Sequence, residues 1–375
     1  MDASEISVAI RSAIASATAV RGVGSGTWLH GGPVENDATA TVVKPRGGVI
    51  EYTPGDLVIS VHAGTTLEEL SAVCAASGQM IAIAPYGSPK ATIGAVVATA
   101  TAAPLAYDDL AIRDLVLGLT VVTGTGDIVR VGGKVVKNVA GFDLVRLNTG
   151  AFGTLGVITE VNLRLHAKPS MDHVVTGTLD GSPWDWVPRL IANRAPLPML
   201  VRLAPDEPAQ LFARCTGNGA RASALRGIMQ SYGVRNTFTL GPSDTSSADD
   251  QVPMITALRH VPDNALVLRI RTELSGGDAM LEHVRKLLPE ATLLYNPSRG
   301  SVRVITDPGH EDDVLVEQLE MQFGRTPVHY SLVAEQGAPP RGDTSPVHAP
   351  IKRAFDPHGV LNRRRATFTP RPYVR

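Results

Sequence analysis

The stretch that most constrains this chain runs from Gly132 to Leu165, GGKVVKNVAGFDLVRLNTGAFGTLGVITEVNLRL. Glycines at 132, 133, 141, 150, 153 and 156 are spread among Lys134, Lys137, Asn138, Asp143 and Arg146. Glycine lets one turn follow another without a Cβ penalty, or lets backbone come close to a ligand. The run from Val157 to Leu165 alternates and predicts a strand. Spacing alone leaves two readings open: a loop-rich connection from helix to strand, or a wall that hugs a ligand.

A second glycine cluster stands near the start. A short strand, Thr18 to Val20, runs into Arg21-Gly-Val-Gly-Ser-Gly26. Glycines alternating in a loop after a strand turn backbone N–H groups toward phosphate oxygens. A Rossmann turn needs G-x-G-x-x-G opening a helix. Here the third glycine comes one residue early, and Trp28-Leu-His-Gly-Gly-Pro33 cannot open a helix. Ala3 to Ala17 predicts a helix with Ile6, Ile10 and Ile14 on one face. Leu57 to Ala63 alternates as a strand that includes His62, read as a strand residue without chemistry. Thr66 and Glu69 form a capping box for a helix over Leu67 to Ser77, stopped by Gly78. Pro85-Tyr-Gly-Ser-Pro89 predicts a rigid turn. Thr92, Ile93 and Gly94 then open a small-residue helix, to Thr101, able to lie close to a ligand. Leu119 to Val122 and Ile128 to Val131 predict a hairpin around Gly124-Thr-Gly126-Asp127. Arg113 and Asp114 read as a structural pair.

At 375 residues the chain predicts two domains. The first closes near Lys168-Pro169. From 170 to 340 strand patterns (Val174–Leu179, Met199–Leu203, Leu211–Cys215, Ala265–Ile270, Ser301–Ile305) alternate with helical ones (Ala222–Tyr232, Asp278–Leu288). This predicts an α+β domain with a mostly antiparallel sheet. Arg269 and Arg271 share one strand face. They could grip a carboxylate, but a solvated face is the expectation. Residues 241–252 predict a polar loop. Residues 341–375 hold a short helix, Val347 to Phe355, and a tail from Arg363 to Arg375 with five arginines and no acid. A solvated tail is expected there rather than a partner-binding arm.

Composition excludes several classes. A net charge of -1 gives no overall nucleic-acid footprint. Cys74 and Cys215 are far apart, and no C-x-x-C is present to hold an iron–sulfur cluster. The ten histidines include no H-x-H or H-x-x-x-H pair, so no metal site is expected. No apolar run approaches the roughly 18 residues of a membrane span, and no secretory signal is read at the start. A cytoplasmic place is expected, with a peripheral position on the inner face of a membrane, through a complex, left open.

KNVAGFDLVRLNTGAFGTLGVITEV resembles the signature of the vanillyl-alcohol-oxidase (PCMH-type) class of FAD-binding oxidoreductases. It is most similar there to the smaller FAD-binding subunit of bacterial glycolate oxidase. Ile351-Lys-Arg-Ala-Phe-Asp-Pro-His-Gly-Val-Leu-Asn362 resembles the closing motif of the same class. The resemblance implies a two-subdomain, non-Rossmann α+β FAD domain over 1–169, an α+β cap over 170–340, and a segment, 341–375, returning to the FAD domain. It implies FAD held by Arg21, Gly22, Val23, Gly24, Ser25 and Gly26, by Pro85, Tyr86, Gly87 and Ser88, by Thr92, Ile93 and Gly94, by Lys137 and Asn138, and by Gly153, Gly156, Val157 and Ile158. Lys134, Lys137 and Asn138 are placed nearest the isoalloxazine. Attachment is non-covalent, since Gly26 and Thr27 stand where covalent members carry a histidine. The chain departs from the pattern at Ala95 (a glycine in the family), Phe142 (tyrosine), Ala151 (serine) and Arg363-Arg-Arg365 (P-G-R). No catalytic residue is assigned.

The resemblance implies oxidation of a small 2-hydroxy acid, of glycolate or D-lactate type, or relay of its electrons. The partners implied are a larger FAD-binding catalytic subunit and an iron–sulfur subunit. Two other functions stay open: an assembly subunit with a degenerate flavin site, and a stand-alone alcohol or sugar oxidase.

Overall fold

The computed structural model describes residues 1–27, 39–82, 88–101, 105, 111–134, 143–179, 199–240, 265–272, 277–306, 318–319, 330–336 and 348–362. The chain forms two compact units. One comprises Met1–Ala102, Leu110–Lys168 and Pro339–Arg375; the other comprises Ala103–Asp109 and Pro169–Ala338.

In the first unit, α1 (Ala3–Ala15) starts at a capping box in which Asp2 accepts from the Ser4 and Glu5 N–H groups and Glu5 reaches back. Its Ile6, Ile10 and Ala13 pack with Val20, Val43, Val122, Val157, Val360 and Leu361. Strands β1 (Val20–Gly22) and β2 (Thr41–Val43) pair in parallel. Five more strands make an antiparallel sheet in the order β3-β4-β8-β6-β7. They are β3 (Val49–Thr53), β4 (Val58–His62), β6 (Val116–Thr123), β7 (Ile128–Gly132) and β8 (Gly156–Arg164). The short pair β5 (Gln79–Met80) and β9 (His166–Ala167) lies apart from it.

Helices α2 (Leu67–Ala75), α3 (Ile93–Thr99), α4 (Ile112–Leu115) and α5 (Leu144–Asn148) fill the connections. The capping box of α2 is the Thr66–Glu69 pair read from sequence. β6 and β7 form the expected hairpin, with Gly126 at φ +81°. Arg113 and Asp114 form a loose pair at 3.8 Å, and Asp114 also accepts the Ala111 N–H.

The second unit carries an eight-stranded antiparallel sheet, β13-β10-β12-β11-β15-β16-β14-β17. In chain order its strands are β10 (Asp172–Leu179), β11 (Met199–Leu203), β12 (Ala209–Thr216), β13 (Val234–Leu240), β14 (Leu266–Thr272), β15 (Thr292–Asn296), β16 (Ser301–Thr306) and β17 (Tyr330–Gln336). Alternate residues of one face, among them Val175, Ala213, Val201, Tyr295, Val304 and Leu268, pack against α6 (Gly219–Ser231) and α7 (Gly277–Leu287).

The opposite face holds arginines. Arg214 is 1% exposed and grips Asp172 with Nε at 2.9 Å and Nη2 at 2.5 Å, while Nη1 donates to the Leu105 carbonyl at 2.9 Å. Arg269 lies directly opposite Arg303, and both are buried. The expectation of a solvated face is therefore corrected at Arg269 and holds only at Arg271, which is exposed. Period-2 patterning says which residues share a face; it does not say whether that face is covered. The polar stretch 241–252 and the tail 363–375 lie outside the described residues.

Candidate cofactor cleft

A cleft open to solvent lies in the first unit, lined mostly by small residues and glycines. Three segments far apart in sequence supply its walls: the 21–27 loop, the α3 region, and the turn leading into β8.

The 21–27 loop leaves β1 and is pinned early. The Val23 N–H donates to the Val43 carbonyl, and the Gly22 N–H donates to Asn362 Oδ1 at 3.1 Å. Among the described residues, nothing takes the N–H groups of Gly24, Ser25 and Gly26. Three successive unpartnered N–H groups in a cleft-lining loop are the kind of donors an anion cradle uses. The loop also sits tightly on the start of α3. A Cβ at Gly24 would lie 2.2 Å from Thr92 Oγ1.

Helix α3 is held at both ends by backbone. The Ile93 N–H donates to the Thr65 carbonyl, the Gly94 N–H to the Ala63 carbonyl, and the Ala95 N–H to Thr92 Oγ1. These donors are spent on the protein and are not left for a ligand. At the other end the Val97 and Ala98 carbonyls accept the Gly150 and Phe152 N–H groups. This ties α3 to the turn before β8. In that turn Gly150, Phe152 and Gly153 all have positive φ. Phe152 is not glycine, so its conformation carries a strain cost.

The residues expected from sequence distribute as follows. Arg21, Gly22, Val23, Gly24, Ser25, Gly26, Thr92, Gly94, Gly153, Gly156, Val157 and Ile158 line the cleft. Ile93 does not: it is fully buried in the core. Ser88 is also absent from the wall, its Oγ accepting the Lys90 N–H. Pro85, Tyr86, Gly87, Lys137, Asn138 and Phe142 lie outside the described residues. Lys134 pairs with Glu51 and is not in the wall. Beside it, Asn162 Nδ2 donates to the Gly133 carbonyl at 3.1 Å.

Sequence reasoning named Thr27, Ala95 and Asn362 within the motifs but left them out of the binding set, and it missed Pro45, Ala63, Ala98, Thr99 and Phe152. Ala95, Ala98 and Thr99 stand at i, i+3 and i+4 on α3, a spacing that places them on one face. Ala95 belongs to that wall, so the methyl replacing the family's second glycine lies within it.

These features fit FAD. A dinucleotide needs a phosphate cradle of unbound N–H groups and walls of small residues for its flat rings. The cleft has both. The profile of the FAD binding domain family matches residues 1–132. These residues form an FAD-binding domain. The chain is 41% identical over 129 residues to glycolate oxidase subunit GlcE of Escherichia coli, and 33% identical over 147 residues to glycolate oxidase subunit GlcD of Bacillus subtilis. The alignments cover 34% and 39% of this chain, but only 37% and 31% of those proteins. Among solved structures, 4-ethylphenol oxidase from Gulosibacter chungangensis superposes with a TM-score of 0.66. That match is 15% identical and covers 96% of this chain and 87% of the other, so it speaks to fold alone. The fold is the α+β, PCMH-type FAD-binding fold expected from the sequence.

Elsewhere in the FAD-binding unit, one histidine among the described residues has a lowered pKa. His62 Nε2 accepts from Arg46 Nε at 3.1 Å, and burial, with Arg46 beside it, lowers its pKa. Burial pushes the Cys74 thiol up to about 11, which leaves it unreactive at neutral pH. No helix among the described residues is long and apolar enough to cross a membrane.

Proposed function

We propose that this chain is the FAD-carrying subunit of a glycolate-oxidase-like oxidoreductase that oxidises a small 2-hydroxy acid or passes on its electrons. The observation that carries the proposal is the meeting of three distant segments around one cleft, with the Gly24, Ser25 and Gly26 N–H groups left for phosphate. Similarity to two glycolate oxidase subunits supports the substrate class. Bound FAD would supply a two-electron acceptor. The chain's own residues bind and orient it: the 21–26 loop takes the pyrophosphate, and Gly94, Ala95, Ala98, Gly153, Gly156, Val157 and Ile158 flank the rings. Attachment is non-covalent. By the family resemblance Lys137 and Asn138, which lie outside the described residues, would be nearest the isoalloxazine, where an ammonium favours the reduced, anionic ring. A larger FAD-binding subunit and an iron–sulfur subunit complete the assembly, which would sit in the cytoplasm or against the inner face of a membrane.

The test is the visible spectrum of the purified chain, acid release of its cofactor, and anaerobic addition of glycolate or D-lactate. Stoichiometric FAD bleached by either acid places the substrate site in this chain. FAD that bleaches only after a GlcD-type subunit is added assigns it the relay. A chain that stays colourless after incubation with FAD overturns the proposal.

A further inference from the structure

We propose that Asn362 is a positioning residue that fixes the spacing between the two sides of the FAD cleft. It stands at the end of the segment that follows the C-terminal helix His348–Phe355. Its side-chain oxygen accepts the Gly22 N–H at 3.1 Å, and its side-chain nitrogen donates to the Phe152 carbonyl at 2.7 Å. One amide thus spans the phosphate loop and the turn before β8, and only one orientation of the amide satisfies both partners. The contact is close: a Cβ at Gly153 would meet Asn362 Nδ2 at 2.5 Å.

The backbone is anchored independently of that amide. The Asn362 N–H donates to the Val20 carbonyl, the Val20 N–H donates to the Val360 carbonyl, and Val20 and Leu361 form a parallel bridge. Below this, Asp356 is buried and accepts from the Val360 and Leu361 N–H groups and from Lys352 Nζ. Lys352 Nζ also donates to the Thr154 and Leu361 carbonyls. The segment is therefore docked by its own network, and the Asn362 side chain is left to act on the cleft. Asn362 has φ +28°, a region asparagine tolerates better than most side chains.

This inference rests on FAD filling the cleft. Its test uses Asn362→Gly and Asn362→Asp in the full apo chain, with FAD titrated by flavin fluorescence and apo melting followed by circular dichroism. Asn362→Gly keeps the backbone conformation and removes only the amide, and it should weaken FAD about tenfold or more. Asn362→Asp at pH 7.5 can still accept from Gly22 but cannot donate to Phe152, and it should weaken FAD as much. A free aspartic acid titrates near about 3.9, well below the assay pH, so the carboxyl stays ionised and the donation to Phe152 is not regained. Affinity within about twofold of wild type for either variant overturns the proposal. So does FAD loss seen only because the apo variants are already unfolded. A wild-type chain that takes no FAD removes the cleft reading itself, and the proposal with it.

Discussion

The two units use the same raw materials in opposite ways. In the FAD-binding unit the cleft is made of backbone: glycine at 22, 24, 94, 153 and 156, unbound N–H groups, and carbonyls tied from one segment to the next. In the sheet unit the work falls to side chains: an apolar cluster under α6 and α7, and a buried arginine–carboxylate fork on the other face. The consequence is visible in sequence. Backbone sites tolerate few residue types at close-approach positions, so the family profile still matches residues 1–132. A packed sheet accepts many combinations of the right volume, so fold likeness extends over 96% of the chain at 15% identity.

The sharpest way to break this comparison is to remove the charge fork. Arg214→Ala leaves Asp172 and the Leu105 carbonyl without their buried donor. Breaking such a pair from one side costs about 3–5 kcal/mol. Thermal melting should show that loss, and Arg214→Ala with Asp172→Ala should cost less than the sum of the two single changes. Additive losses would mean that the fork contributes no coupling and that apolar packing alone sets this unit's stability.

Gly24→Ala tests the other half. Gly24 does not have positive φ, so its backbone suits alanine. The cost comes from the added methyl, 2.2 Å from Thr92 Oγ1. The loop must then lift off α3 and misplace its N–H groups. FAD affinity should fall about tenfold or more, as a loss of two or more charge-assisted hydrogen bonds would give, while melting of the apo chain moves little. Thr92→Ala in the same chain relieves the contact and should restore part of the affinity, less about 1 kcal/mol of stability for the lost α3 cap. If the single variant binds FAD normally, the loop is looser than its geometry requires. The comparison between a backbone-built and a side-chain-built unit would then fail.

Much of the first unit was legible because its signals are local. The Thr66–Glu69 capping box, the β6–β7 hairpin and the glycine loop each declare themselves within about a dozen residues. What was not legible is mainly a matter of long-range closure. Asn362 lies in a motif visible in the sequence, yet its partners Gly22 and Phe152 are 340 and 210 residues away. Ile93 was placed at the ligand through its neighbours Thr92 and Gly94, but a helix turns successive side chains about 100° apart, and this one faces the core. β13 and β15 escaped notice because VRNTFTL and TLLYN are short and carry turn-type or unalternating residues. They become strands only because the sheet supplies partners on either side, or on one side at the β13 edge.

The smallest expected effect concerns His62, a neutral ring of lowered pKa near the surface of the FAD-binding unit, in contrast to the deeply buried, charged Arg214. Arg46 donates to His62 Nε2, an arrangement that only the neutral ring can accept. Burial is the first cause of its lowered pKa and the Arg46 charge the second, while Glu160, opposite on β8, pulls the other way. The native state therefore resists a proton that the unfolded chain takes up near pH 6.5. The stabilisation is complete above that pH and is lost as pH falls from there through the lowered native value. His62→Gln keeps an acceptor for Arg46 and has no proton to gain. Its melting temperature should match wild type at pH 8 and exceed it at pH 5, by about 1 °C given the solvent screening of a half-exposed group. Parallel melting curves from pH 8 to 5 would show that Glu160 cancels the shift, leaving the unit's acid sensitivity to its carboxylates.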